Sequence, residues 1–132
     1  MAIRITDMKI RTHRLSGTAL VYACAVADGL AQVHVRTSGS VPEVRYLCPT
    51  FDGWYGWPVP RYLEHVADDI IDREKIETRY VITDSTEPNY WSASCLFTDV
   101  YSVSGTTRRE AAMRCYVASK LGGEVDVPEE LL

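Results

Sequence analysis

The segment "GTTRREAAMRCYVASKLGG", Gly105 to Gly123, constrains the fold more than any other part of the chain. Both ends of a helix are written into it. Thr107 and Glu110 have the spacing of a capping box, in which each side chain satisfies an orphan backbone N–H near the helix start. Gly122 and Gly123 stop the helix. Between them Ala111, Ala112, Cys115, Ala118 and Leu121 recur at helical spacing.

Two more helices follow from the same logic. "SGTALVYACAVADGL" predicts a helix from about Thr18 to Asp28, with Ser16 as N-cap and Gly29 in the left-handed position after the last turn. Its alanines imply close packing against a sheet. In "VPRYLEHVADDIIDREKI" the residues Val59, Tyr62, Leu63, Val66, Ile70 and Ile71 make one apolar stripe, and Pro58 or Pro60 suits a first-turn position. "AQVHVRT" and "EVRYLCP" alternate with period two around the turn residues of "SGSVP" and predict a hairpin. "TRYVITD" and "NYWSASCLFT" read as strands, and "MKIRTHRL" as a short strand or an extended lead-in. This mixed order predicts an α+β fold, a small antiparallel sheet packed by two or three helices. A single globular domain over residues 1–132 is expected, with 1–7 as an extension and 124–132 as an acidic tail along the body.

Composition excludes several classes. With 132 residues, 46% of them hydrophobic and 24% charged, the chain can bury a real core. No apolar run approaches the roughly 20 residues that span a bilayer. "MAIRITDMKIRTHRL" has no apolar stretch of the secretory type, so no membrane association and a cytoplasmic location are expected. The net charge of −4 disfavours duplex nucleic acid, whose binding draws on phosphate neutralisation. Cys24, Cys48, Cys95 and Cys115 are widely spaced among apolar neighbours and read as reduced, buried thiols.

Catalytic chemistry has no signature here. His13, His34 and His65 lie in no nucleophile motif, and no glycine-rich phosphate loop is present. His65, Asp68, Asp69 and Asp72 share a helical face at i, i+3, i+4 and i+7, but a solvated polar face explains them, because metal sites usually recruit ligands from a second element. No catalytic residue, metal ligand or cofactor is therefore assigned.

The outstanding feature is "FDGWYGWPVP", four aromatics, two glycines and two prolines in ten residues. That composition reads as a stiffened loop that either closes the core or presents flat rings. Trp54, Tyr55 and Trp57 are the candidate stacking residues, while Trp91 in its strand reads as core. Arg108 and Arg109, in the first turn of the last helix, and Arg114 are the candidate anion donors, because the free N–H groups of a helix start already favour negative charge.

Three blocks, "MKIRTHRLSGTALVYACAVADG", "IIDREKI" and "AAMRCYVASKLGGEVDVPEEL", resemble the NinX-like phage proteins, small domains carried by tailed phages and prophages. Gly56-Trp57-Pro58 is similar to the family's tryptophan loop and Ile70 to Glu74 to its Ile-Ile-Glu-Arg-Glu, with "VPRYLEHVADD" as an intervening insertion that builds a helix. The resemblance implies a setting in the bacterial host cell and supplies no catalytic residue. Two functions are then expected. One is sequestration of a small nucleotide-like molecule in counter-defence, with Trp54, Tyr55 and Trp57 stacking a base and the arginines meeting phosphate. The other is a protein-interaction module that inhibits a host protein or complex. A homo-oligomer that completes a pocket across subunits fits either.

Overall fold

A computed structural model describes residues 7–36, 41–47, 53–84, 86–95 and 102–132. Strands β1 (Asp7–Arg11), β2 (Ala31–Arg36), β3 (Glu43–Leu47), β4 (Trp54–Pro58), β5 (Ile76–Val81), β6 (Tyr90–Cys95), β7 (Val103–Gly105) and β8 (Glu124–Pro128) accompany helices α1 (Gly17–Ala27), α2 (Val59–Glu74) and α3 (Arg108–Leu121). The class is α+β, with the strands divided among three small antiparallel sheets, β1-β8, β2-β3-β4 and β5-β6-β7. Among the described residues no helix is long and apolar enough to cross a membrane.

The final helix forms as its caps dictate, with one variation. Thr107 Oγ1 accepts the Glu110 N–H at 3.1 Å, while the Glu110 carboxylate reaches one residue further back and accepts the Thr106 N–H at 2.9 Å. Gly122, at φ 92°, ends the helix. There the chain is tied to its own beginning. Buried Thr12 donates its N–H to the Gly123 carbonyl and its hydroxyl to the Gly122 carbonyl, at 2.9 and 2.7 Å.

α1 is buried at Ala19, Leu20, Val21, Ala23, Cys24 and Ala25, positions that run around most of its circumference. A helix apolar on nearly every side belongs in the interior, and α1 packs on α2, α3, β2 and β8. Ser16 holds the N-cap position without a side-chain hydrogen bond. α2 is amphipathic by contrast. It buries Val59, Tyr62, Ala67, Ile70 and Ile71 and ends where Lys75 takes the left-handed conformation. Trp91 is half-buried against the core and packs on Tyr80, ring centroids 5.3 Å apart.

Two expectations change. Glu124–Pro128 is a strand whose Val125 and Val127 are buried, because "EVDVP" alternates and finds β1 as an antiparallel partner. "WYGWP" is also a strand. Its aromatics suit a pleated surface, and the last position of an edge strand accommodates Pro58, which has no N–H to donate. Phe51, Asp52, Cys48, the first six residues and the expected continuation of β6 past Cys95 lie outside the described residues.

A polar network joins the C-terminal ends of the three helices. Asp28 Oδ1 accepts from Arg73 Nη2 at 2.9 Å and from the Tyr116 hydroxyl at 3.0 Å. Glu74 bridges Lys120 and Arg73 at 3.0 and 3.1 Å. Lys120 holds the Glu74 carboxyl below its ordinary value, burial pushes the other way, and Arg73 adds to the lowering. A folded-state value below the unfolded one contributes stability that is complete above the ordinary carboxylate pKa and is lost as pH falls through the folded value.

Glu74→Gln is therefore expected to lower Tm at about pH 7 and to approach wild type as pH falls through the folded-state value of Glu74. Tm measured across pH for both proteins checks this. A second test concerns Gly105, where an added Cβ would meet the backbone of Ala111, its N at 2.5 Å and its Cα at 2.9 Å. Backbone cannot swing aside as a side chain can. Gly105→Ala is expected to cost about 1–3 kcal/mol, read as a fall in Tm of roughly 3–10 °C.

Candidate functional site

β4 is an edge strand, paired among the described residues with β3 alone. Its register sets Leu47 opposite Trp54, Tyr46 opposite Tyr55, Arg45 opposite Gly56 and Val44 opposite Trp57. Side chains alternate across a strand, so Trp54 and Gly56 share one face while Tyr55 and Trp57 share the other. The second face leads into the core, because Val44 beside Trp57 is fully buried.

On that inner face the rings form a strip. Tyr46 and Tyr55 stack at 6.2 Å between centroids and 17° between planes, and Tyr55 and Trp57 at 6.4 Å and 13°. Trp57 anchors the strip, since its Nε1–H donates to the Tyr46 hydroxyl at 3.1 Å and its ring meets His65 of α2 at 4.2 Å. On the outer face Trp54 reaches across β3 to His34 of β2, edge-on at 5.0 Å and 81°. Gly56 leaves the space beside it into which the Glu43 carboxylate folds. Trp54 is 45% exposed and Tyr55 40%, whereas Trp57 is half-buried. The aromatic segment thus points outward at its start and inward at its end.

The arginines take three different positions. Arg114 lies within the fold, donating from Nε to the Leu15 carbonyl at 2.6 Å and from Nη1 to the Ser104 carbonyl at 2.8 Å, with Glu110 at 3.4 Å. It ties α3 to β7 and to the segment entering α1. Arg108 donates from Nε to Thr78 Oγ1 of β5 at 3.0 Å and pairs loosely with Asp68 of α2 at 3.7 Å. Arg109 is exposed in the first turn of α3. α2 links this region to the strip. His65, against Trp57, and Asp68, against Arg108, are three residues apart and so lie on one helical face.

Tyr46, His34 and His65 are the members that sequence reasoning left out. Tyr46 carried a signal, the alternation of "EVRYL" that puts it beside Val44. From sequence His65 groups with the acidic residues of α2, and only the packing of β4 on α2 turns it toward an indole.

The three indoles should answer differently to a collisional quencher. Replacing Trp54 by Phe is expected to remove the largest share of acrylamide-quenchable fluorescence, more than Trp57→Phe or Trp91→Phe. Equal losses from all three would contradict an outward Trp54.

Among curated proteins the chain has no match. The family model described as "Bacteriophage P22, NinX" matches residues 11–120, a span that takes in α1, α2, nearly all of α3 and both three-stranded sheets, so the chain belongs to that phage protein family.

Proposed function

We propose that this phage accessory protein works by binding, without catalysis, and that its binding surface is the edge of β4 with the adjoining face of α2. The partner we infer is a host protein that lays a basic, extended segment along β4 and is inhibited by being occluded. In a phage setting this amounts to disarming a defence or redirecting host machinery.

One observation carries the reading. An edge strand exposes Trp54 on one face and Tyr55 on the other. Edge strands offer backbone donors and acceptors to an added strand, and exposed aromatics on both sides provide anchors of the kind that dominate interface energetics. Charge selects the partner's sign. Glu64, Asp69 and Asp72 are exposed on α2, and the chain carries −4 overall, which steers a basic segment in and an acidic one away.

A second reading, sequestration of a small nucleotide-like ligand, is favoured by Arg108. It lies one helical turn along α2 from the Trp57–His65 contact, so a base on Tyr55 and a phosphate at Arg108 and Arg109 would share one surface. Stacking contributes about 1–3 kcal/mol per base. The acidic face of α2 opposes the phosphate, and Arg114 is committed to backbone carbonyls, which ranks this reading second.

Two assays on the purified protein separate them. In host lysate at low and high salt, wild type is expected to retain one stoichiometric partner that weakens with salt. Tyr55→Ala and Trp54→Ala, shown to be folded, should bind it roughly 30-fold more weakly, as loss of an anchor worth about 2 kcal/mol predicts. Wild type and both variants retaining the same proteins would sink the docking surface. A thermal-shift screen against cyclic dinucleotides, cyclic mononucleotides and ADP-ribose derivatives addresses the other reading. A ligand at 100 times its Kd stabilises by about 2.7 kcal/mol, a shift of several degrees. A hit abolished by both Arg108→Ala and Tyr55→Ala would establish the nucleotide site in place of the protein one.

A further inference from the structure

Cys95 ends β6 and Cys115 lies at the middle of α3, on the face that packs against that strand. Their sulfurs are 3.0 Å apart. Even carbon atoms in contact settle at roughly 3.5–4.0 Å, so these two thiols are held closer than ordinary packing requires and about 1 Å short of a covalent bond. Cys24, by contrast, is buried within α1, and no sulfur contact accompanies it among the described residues. We propose that Cys95 and Cys115 are a modification site, a dithiol that a peroxide converts to a reversible disulfide clasping α3 to the β5-β6-β7 sheet.

The two sulfurs differ in access, which orders the steps. Cys95 is 7% exposed and Cys115 is fully buried, where burial first and the hydrogen bond with Cys95 second push the Cys115 thiol upward. Peroxide therefore reacts at Cys95. The Cys95 sulfur attacks one peroxide oxygen, an S–O bond forms, the O–O bond breaks, and the departing hydroxide takes the thiol proton to leave as water. Cys115 then attacks the sulfenic sulfur. An S–S bond forms, the S–O bond breaks, and hydroxide leaves with the Cys115 proton as a second water. Both sulfurs together lose two electrons and the peroxide gains them. A resolving thiol in contact is what diverts a sulfenic acid from further oxidation.

The bond would close the chain between residues 95 and 115, a span holding β7 and the first half of α3. Arg108 and Arg109 lie within it, so oxidation fixes the end of α3 that meets Thr78 and Asp68.

The test uses the full chain, treated with a small excess of hydrogen peroxide, then unfolded in N-ethylmaleimide and mapped as peptides. The expected result is one linked peptide pair joining Cys95 to Cys115, with Cys24 alkylated and the link released by dithiothreitol. Closing a loop of this length predicts a Tm rise of roughly 10 °C in the oxidised protein, reversed on reduction. In Cys115→Ala the same treatment should leave a Cys95 sulfenic acid that dimedone traps. If that variant does not fold, the wild-type map decides alone. Full alkylation of both cysteines after peroxide, sulfinic acid at Cys95 in wild type, or links through Cys24 or Cys48 would each overturn the proposal.

Discussion

The fold depends on how closely α3 approaches the chain that precedes it. Gly105 ends β7 and comes so near the first turn of α3 that a Cβ there would strike the Ala111 backbone. Ala111, Ala112 and Cys115 continue the same small-sided surface, and all three are fully buried. Small side chains bury little area each, yet they let a helix axis lie close to its neighbours, so many weak dispersion contacts form at once. α3 then carries larger residues, Met113, Tyr116 and Val117, that are buried as well. From this position it packs on all three strands of the β5-β6-β7 sheet, on α1 and on α2. A single added methyl at Gly105 acts against this whole arrangement, because neither backbone can give way without moving an element.

Polar groups hold the same helix where apolar contact runs out. Thr12 satisfies the carbonyls of Gly122 and Gly123, which no helical N–H reaches, and Arg114 satisfies those of Leu15 and Ser104. Leu15 is buried, and its carbonyl left without a partner would cost about 1–3 kcal/mol. That bond therefore matters less for what it adds than for what its loss would leave unsatisfied, while those to exposed Ser104, Gly122 and Gly123 mainly fix position. The Asp28–Arg73–Tyr116 cluster works in the same way. Burial and the Asp28 carboxylate raise the Tyr116 phenol above its ordinary value, so it stays protonated and donates. Arg73 is half exposed, so its ion pair with Asp28 adds little alone, and what the cluster secures is the hydroxyl of buried Tyr116, which both Asp28 and Arg73 partner.

What could be read from the sequence divides along the range of the forces involved. All three helices were legible because caps, glycines and apolar spacing act within a few residues. Thr107, Gly122 and Gly29 sit where local chemistry places them. The β2–β3 hairpin followed from alternation in the same way. β8 was harder, since its partner β1 lies at the other end of the chain and only that pairing makes a strand of an acidic segment. The glycines and prolines of "FDGWYGWPVP" suggest a loop, but an edge strand tolerates the Gly56 and Pro58 that fall in β4. Arg114 reads from sequence as a candidate anion donor, because its carbonyl partners, Leu15 and Ser104, come from other elements. The Cys95–Cys115 contact has no local signal at all, because a strand and a helix bring the two together across twenty positions.

This division bears on the proposed binding surface. Among the residues whose partners are distant, Tyr46, Trp57, His65 and Arg108 lie along the path from the β3–β4 pair through α2 to the start of α3. Trp57 is fixed by Tyr46 and His65, and Arg108 by Thr78 and Asp68, so the inner end of the aromatic strip and the first arginine are both pinned to one rigid helix. Trp54 and Tyr55, at the outer end, keep their exposure on the same strand. A surface that is anchored at one side and exposed at the other loses little conformational entropy when something covers it, which is the larger part of what preorganisation contributes to affinity. A mobile loop with the same ten residues would have to be ordered first. For the proposed docking, "WYGWP" as a strand is therefore better preorganised than the loop its composition suggests.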